Sequence, residues 1–232
     1  VTRRFAVLAS GTGSNAMVLA EHAAAGTIPG ELAAVFVDRP DAPVLERAAA
    51  AGVPAVLIDR GRFGSRDAHE HELVRLLHEL RVDVIVLAGY MRVCGPVFLD
   101  AWEGRTINLH PSLLPAFPGR DAIGDALAAG AAETGVTIHF IDAGVDSGPI
   151  ACQATVAIRP DDDRHSLAQR VHDVEHLLLP IAAAGLVDGR LALVDGVVQV
   201  APDLRDELAT AGARVPQQAT HLTEAPQPCS AP

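Results

Sequence analysis

Up to His110 the chain alternates between two hydrophobic patterns. Short continuous apolar runs, "FAVLA" from Phe5, "LAAVFV" from Leu32, "PAVLI" from Pro54, "VDVIVLA" from Val82 and "TINLH" from Thr106, read as buried strands. Between them, "AMVLAEHAAA" from Ala16, "PVLERAAAAG" from Pro43 and "SRDAHEHELVRLLHEL" from Ser65 carry apolar residues at helical spacing. This alternation predicts an α/β fold: a single doubly wound, mostly parallel sheet with helices on both faces, right-handed connections, and ligands at the C-terminal ends of the strands. After His110 the rhythm changes to a Pro-rich loop, a short helix, strands in "GVTIHFI" and "GPIACQATVAI", a long helix from Asp163 and a hairpin "LALVDGVVQV". The Asp195-Gly196 pair there is a type I′ turn signal. The C-terminal part of the sheet is therefore expected to be mixed. From Pro202 onward apolar periodicity fades, which predicts one domain over residues 1–201 and a disordered tail over 202–232.

Composition narrows the chemistry. With 49% hydrophobic but only 3% aromatic residues among 232, the core must be built from Ala, Val, Leu and Ile, as buried parallel strands under Ala-rich helices require. All 18 residues of the Lys+Arg total are Arg, which excludes a Lys nucleophile, a Schiff base and a P-loop Lys. A formal net charge of -11 argues against nucleic acid or an anionic membrane as partner. Cys94, Cys152 and Cys229 are far apart with no CxxC pair, so neither a disulfide framework nor a zinc knuckle is indicated, and no metal is expected. No apolar run of about 18 residues is present, and the first residues lack a secretion-signal pattern, so a cytoplasmic location is expected.

The first candidate site is the loop after the first strand. Gly11, Gly13 and Ala16 satisfy a GxGxxA spacing between strand and helix, where backbone N–H groups and the helix dipole hold phosphate. Asp38, at the end of the second strand, stands where a nicotinamide enzyme keeps its ribose-binding acid, so an NAD(P)-dependent oxidoreductase competes. A single phosphate would need only the helix N-terminus with Ser14 and Asn15; the plainer alternative is a tight turn in which either residue caps the helix.

The second is "NLHPSLLPAFPG". In an extended strand Asn108 and His110 project to one face, and Pro111 favours an extended backbone at His110. An amide that donates to an oxyanion beside an imidazole that moves protons suits acyl transfer without a covalent enzyme intermediate. Asp146, in the Gly-rich turn "DAGVDSGPI", would orient that imidazole and favour its protonated form; Asp142 is the alternative carboxylate. His139 is assigned a structural role.

These segments, with "SGTGSN" at Ser10, "SRD" at Ser65, "VIVLAGYMRV" at Val84, "INLHPSLLPAFPG" at Ile107, "GVTIHFIDAGVDSGPI" at Gly135 and "RVHDVEH" at Arg170, resemble the folate-dependent formyltransferase family, and within it the enzymes acting on glycinamide ribonucleotide (GAR). The resemblance spans residues 5 to about 200. It implies a Rossmann-like formyltransferase fold and a direct transfer of the formyl group of 10-formyltetrahydrofolate to the GAR amine, in purine biosynthesis, by a monomer or homodimer. It also implies that Asn108, His110 and Asp146 are catalytic, that Gly13, Ser14 and Asn15 hold the GAR phosphate, and that His172, Asp173, Val174 and Glu175 touch its sugar and amide. Folate contacts are implied at Arg66, at Met91, Arg92, Val93 and Cys94, at Asn108, and at Asp142, Ala143, Gly144 and Val145. Arg66 and Arg92 suit the carboxylates of a folate tail, since Arg meets carboxylate as a planar fork. Other branches are less similar: methionyl-tRNA formyltransferase adds a C-terminal RNA-binding domain, and formyltetrahydrofolate deformylase an N-terminal regulatory one. The stretch Arg120-Asp121-Ala122 departs from the family pattern.

Overall fold

The computed structural model describes residues 2–217 and 219–221. Strand β1 (Arg4–Ala9) is buried on both faces from Phe5 onward, as a central parallel strand must be. Strands β2 (Glu31–Val37), β3 (Ala55–Leu57), β4 (Val84–Leu87) and β5 (Thr106–His110) extend it in parallel, in the order β5-β4-β1-β2-β3. The period of two along β1 divides the core: Phe5, Val7 and Ala9 pack on one face with helices α1 (Ser14–Ala24) and α2 (Val44–Ala50), while Ala6 and Leu8 pack on the other with α3 (Arg66–Glu79) and α4 (Pro96–Trp102). The fully buried Phe98 and Trp102 of α4 fill that second face, in a core otherwise poor in aromatic rings.

Beyond β5 the sheet reverses direction. After α5 (Ala122–Ala128), β6 (Glu133–Phe140) lies antiparallel to β5, and β7 (Ile150–Ala157) antiparallel to β6. Helix α6 (Arg164–Asp188) then crosses the first face; a capping box between Asp163 and Ser166 starts it and Gly189, with φ 86°, ends it. A hairpin of β8 (Leu191–Val194) and β9 (Val197–Val200) follows, with positive φ at both Asp195 and Gly196 as the type I′ turn demands.

The expectation of a disordered tail from residue 202 needs correcting. Helix α7 (Pro202–Thr210) buries Leu204 and Leu208, β10 (Ala213–Arg214) adds an antiparallel edge to β7, and β11 (Thr220–His221) pairs with β9. Two leucines one helical turn apart are too few to signal an amphipathic helix, yet Leu204 has a receptor: a Cβ on Gly185 of α6 would come within 2.4 Å of its Cδ2. The remainder of the expected tail, 218 and 222–232, lies outside the described residues.

Candidate active site

Strand β5 pairs in parallel with β4 along one edge and antiparallel with β6 along the other. In that antiparallel register Asn108 stands opposite His139 and His110 opposite Thr137, so all four side chains share a face. Asn108 Nδ2 lies 3.1 Å from His139 Nε2 and 3.4 Å from Asp146 Oδ1. His110 Nδ1 lies 3.4 Å from Asp146 Oδ2, and its Nε2 is 2.9 Å from the Phe117 carbonyl oxygen. Both ring nitrogens of His110 thus face acceptors, an arrangement that the doubly protonated ring satisfies completely.

Asp146 holds the centre. It adopts φ 51° in the β6–β7 turn and accepts the Gly119 N–H at 2.8 Å, so a loop from the far side of β5 braces it. Burial alone would push its carboxyl up, but the His139 ring, the Gly119 N–H and the charges of His110 and His139 together hold it below the usual carboxylate range. The alternative carboxylate, Asp142, is committed elsewhere: its Oδ1 accepts the Gly144 N–H at 3.0 Å and the Ser147 hydroxyl at 2.8 Å.

His139, assigned a structural role from the sequence, is placed by the β5–β6 register against Asn108 and Asp146. The ring is 2% exposed, its Nδ1 is 2.8 Å from the Phe140 carbonyl oxygen, and its Nε2 faces Asn108 and, at 3.7 Å, Asp146. It belongs to the same cluster. Alternation within "TIHFI" carries no sign of this; the signal lies in the β5–β6 register.

A cleft of about 350 Å³ leads from this cluster to the loop Gly11–Asn15. Gly13 is the N-cap of α1 with φ 74°, and a Cβ there would meet Val44 Cγ2 at 2.2 Å, so only glycine fits. No side chain caps the helix, which leaves its first-turn N–H groups for an anion and sets aside the capping alternative for Ser14 and Asn15. The Asn15 amide turns instead to Glu175, with Nδ2 to Oε2 at 2.8 Å. Burial pushes the Glu175 carboxyl up, opposed by that hydrogen bond and by His172. Of the four α6 residues expected here, His172 and Glu175 line the cleft; Asp173 is exposed outside it and Val174 packs against the core. Arg120, which sequence reasoning gave no role, lines the cleft too, while its neighbour Asp121 caps α5 and pairs with Arg164.

Two further hollows adjoin the cleft across the segment Tyr90–Cys94. One, of about 80 Å³, is lined by Asn108, His139, Asp142, Gly144 and Val145; Ala143 is exposed in the same loop but is not among the lining residues. The other, of about 290 Å³, is lined by Arg60, Arg66, His69, Glu70, Met91 and Arg92 among others. Arg66 is half exposed, with its Nε 3.8 Å from Glu70. Arg92 donates from Nε to Asp38 Oδ2 at 2.8 Å. That pair removes Asp38 from the role of a ribose acid, because its carboxylate is 3% exposed and already carries the guanidinium. Burial pushes the Cys94 thiol up to about 12, so it presents no thiolate at neutral pH.

Among the described residues no three His, Cys, Asp or Glu side chains come together in a way that could hold a metal ion, and no helix is long and apolar enough to cross a membrane.

The formyl transferase family model matches residues 3–183. The trifunctional purine biosynthetic protein adenosine-3 of Drosophila melanogaster is 47% identical over 189 residues, 81% of this chain, which spans only 14% of that relative's length. The phosphoribosylglycinamide formyltransferase of Bacillus subtilis (strain 168) is 39% identical over 178 residues, 77% of this chain and 91% of the relative. A solved phosphoribosylglycinamide formyltransferase from Coxiella burnetii, in complex with CHES, matches with a TM-score of 0.82 at 33% identity, covering 96% of this chain and 100% of that one.

Proposed function

The chain belongs to the formyl transferase family, and on that footing we propose that it transfers the formyl group of 10-formyltetrahydrofolate to the amine of GAR, a step of purine biosynthesis. The observation that carries this reading is the convergence of Asn108, His110 and Asp146 at one end of a cleft whose other end is the uncapped N-terminus of α1. In this reading the GAR phosphate takes the first-turn N–H groups of α1, with Ser14 beside it. Glu175, held by Asn15, accepts a sugar hydroxyl or amide N–H, and His172 borders the same ligand. The formyl-folate occupies the hollows around Tyr90–Cys94, with the ring system against the Asp142–Val145 turn and the acidic tail toward Arg66 and Arg92.

The GAR amine attacks the formyl carbon directly. With a pKa near the ordinary α-amino range of about 8, roughly a fifth to a third of such an amine is neutral at physiological pH, so no strong base is needed. As the carbon becomes tetrahedral its oxygen gains charge, and the Asn108 amide and the protonated His110 ring are the donors within reach. Both donors rest on protein acceptors in the structure, Asn108 on Asp146 and His110 on the Phe117 carbonyl, and the developing oxyanion competes for them. Asp146 keeps the ring oriented. Collapse breaks the bond from the formyl carbon to the folate nitrogen, which takes up the proton lost by the amine, and tetrahydrofolate leaves. Holding both substrates in one cleft supplies the proximity.

Purified protein mixed with 10-formyltetrahydrofolate and GAR should release tetrahydrofolate, followed spectroscopically, only when GAR is present. Release without GAR would assign a deformylase instead. No release, together with tight NAD(P) binding and no GAR binding by calorimetry, would overturn the reading.

A further inference from the structure

The row that carries His110 continues past the cluster. His110 stands opposite Thr137 on β6, and Thr137 opposite Gln153 on β7. The Thr137 hydroxyl, fully buried, uses its whole hydrogen-bonding capacity: it donates to the Ser112 carbonyl at 2.6 Å and accepts from the Leu114 N–H at 3.1 Å and from Gln153 Nε2 at 2.8 Å. Gln153 spends its second amide proton on the Leu114 carbonyl at 2.8 Å. Two side chains from two strands thereby hold the main chain of the loop after His110 at Ser112 and Leu114. The same loop delivers the Phe117 carbonyl to His110 Nε2 and the Gly119 N–H to Asp146 Oδ2. Ser112 ties the far end with a hydroxyl bond to the Ala116 carbonyl at 2.6 Å.

We propose that Thr137 and Gln153 are positioning residues for formyl transfer: by pinning the 112–119 loop they set the two backbone groups that hold the His110 ring and the Asp146 carboxylate in register with each other. Neither side chain lines the reaction cleft. Their influence is geometric. A buried hydroxyl with its one donor and two acceptor positions used is costly to disturb, and once it is lost the Gln153 bond to the Leu114 carbonyl is left to hold the loop against the sheet. A shift of about 1 Å at reacting groups can reduce turnover about 100-fold. Of the titratable and charged groups around His110 and Asp146, His139 on β6 lies within 3.7 Å of Asp146, while Arg120, His172 and Glu175 line the same cleft. A change in the loop therefore reads out on His110 through the Phe117 carbonyl and through Asp146.

This inference rests on the formyl transfer reading, so its test includes a measurement that needs no turnover. Thr137→Val preserves shape and removes the hydroxyl; Thr137→Ser restores it; Gln153→Glu replaces the amide donor with an acceptor opposite the Leu114 carbonyl. Thr137→Val should lower kcat about 10- to 100-fold with KM for both substrates changed less than about threefold. Its pH–rate profile should move, and the His110 ring signals in NMR should titrate at lower pH because an acceptor of the protonated ring is displaced. Thr137→Ser should recover most of the rate and the native titration. If Thr137→Val does not fold, Gln153→Glu decides by the same measurements. A folded Thr137→Val with native kcat and native His110 titration overturns the proposal, as does a slow Thr137→Val whose His110 titration is native or a Thr137→Ser that fails to recover. Absence of GAR-dependent turnover in the unaltered protein would remove the function reading, while the ring titration would still decide whether the row holds His110.

Discussion

On the parallel side of β5 the cleft adds main-chain N–H groups to its side chains, and on the antiparallel side the cluster is built from side chains. The Gly11–Asn15 loop offers N–H groups at a helix N-terminus, and Gly13 is there because nothing larger fits beside Val44. Across β5, Asn108, His139, His110 and Asp146 interlock through ring nitrogens, an amide and a carboxylate. Each construction follows from strand direction. Parallel strands joined by crossover helices align helix N-termini with strand C-termini, which suits anion binding. An antiparallel neighbour sets side chains directly opposite one another, which suits proton handling between residues far apart in sequence. A reaction joining a phosphorylated acceptor to an acyl donor needs both constructions, and β5 borders both.

If the antiparallel side carries the chemistry, its centre should be the most sensitive point. Asp146→Asn keeps the size of the side chain but loses the charge toward His110, and kcat should fall about 100- to 10,000-fold. The limb of the pH–rate profile that requires a protonated group should move to lower pH, which loss of orientation alone would not do. Asp142→Asn should leave the pH–rate profile in place, with its loss falling on folate KM, since that carboxylate shapes its own turn; the reverse outcome would mean the wrong carboxylate has been placed at the centre.

Asn108→Ala should come next, with turnover reduced about 100- to 1000-fold and ground-state binding changed less. Near-native turnover would reduce Asn108 to a strand residue. The C-terminal extension of the antiparallel side is tested by Leu204→Ala, which empties the space left by Gly185 and should cost about 2–5 kcal/mol in denaturant unfolding while leaving kcat intact. An unchanged unfolding midpoint would show that α7 is not part of the cooperative unit.

On the parallel side, Gly13→Ala forces a Cβ into Val44 at a backbone angle that L-residues avoid, a strain of about 1–3 kcal/mol. GAR affinity by calorimetry should fall, whereas kcat at saturation should change less than in the Asp146 and Asn108 variants. Equal losses in kcat would erase the division between a holding side and a reacting side.

The smallest effect concerns stability and pH. Asp146 is held below its ordinary value, so its contribution is present above the unfolded carboxylate range of about 4 and fades as pH falls through the lower folded value. The stability difference between the unaltered protein and Asp146→Asn should therefore shrink on acidification below about pH 4. A difference that stays constant across that range would mean the carboxylate gains nothing from its surroundings.

Local pattern was enough for the parallel half. Continuous apolar runs of strand length, interleaved with helical periodicity, can be satisfied only by buried strands under helices, and a strand ending in Asn-x-His-Pro must present both polar side chains on one face. The glycine loop and the hairpin turn were legible for the same reason, since their backbone angles are demanded by the residues themselves. Register was not. His139 lies opposite Asn108, and Thr137 and Gln153 fall in line with His110, only because β6 and β7 run antiparallel at particular offsets, which loop length and packing settle between segments far apart in the chain. The choice of Asp146 over Asp142 depended on a Gly119 N–H arriving from another loop. The docking of α7 depended on a vacancy over Gly185 in a different helix. Periodicity describes what each segment must bury; which polar groups meet across the sheet is a property of how the segments are assembled.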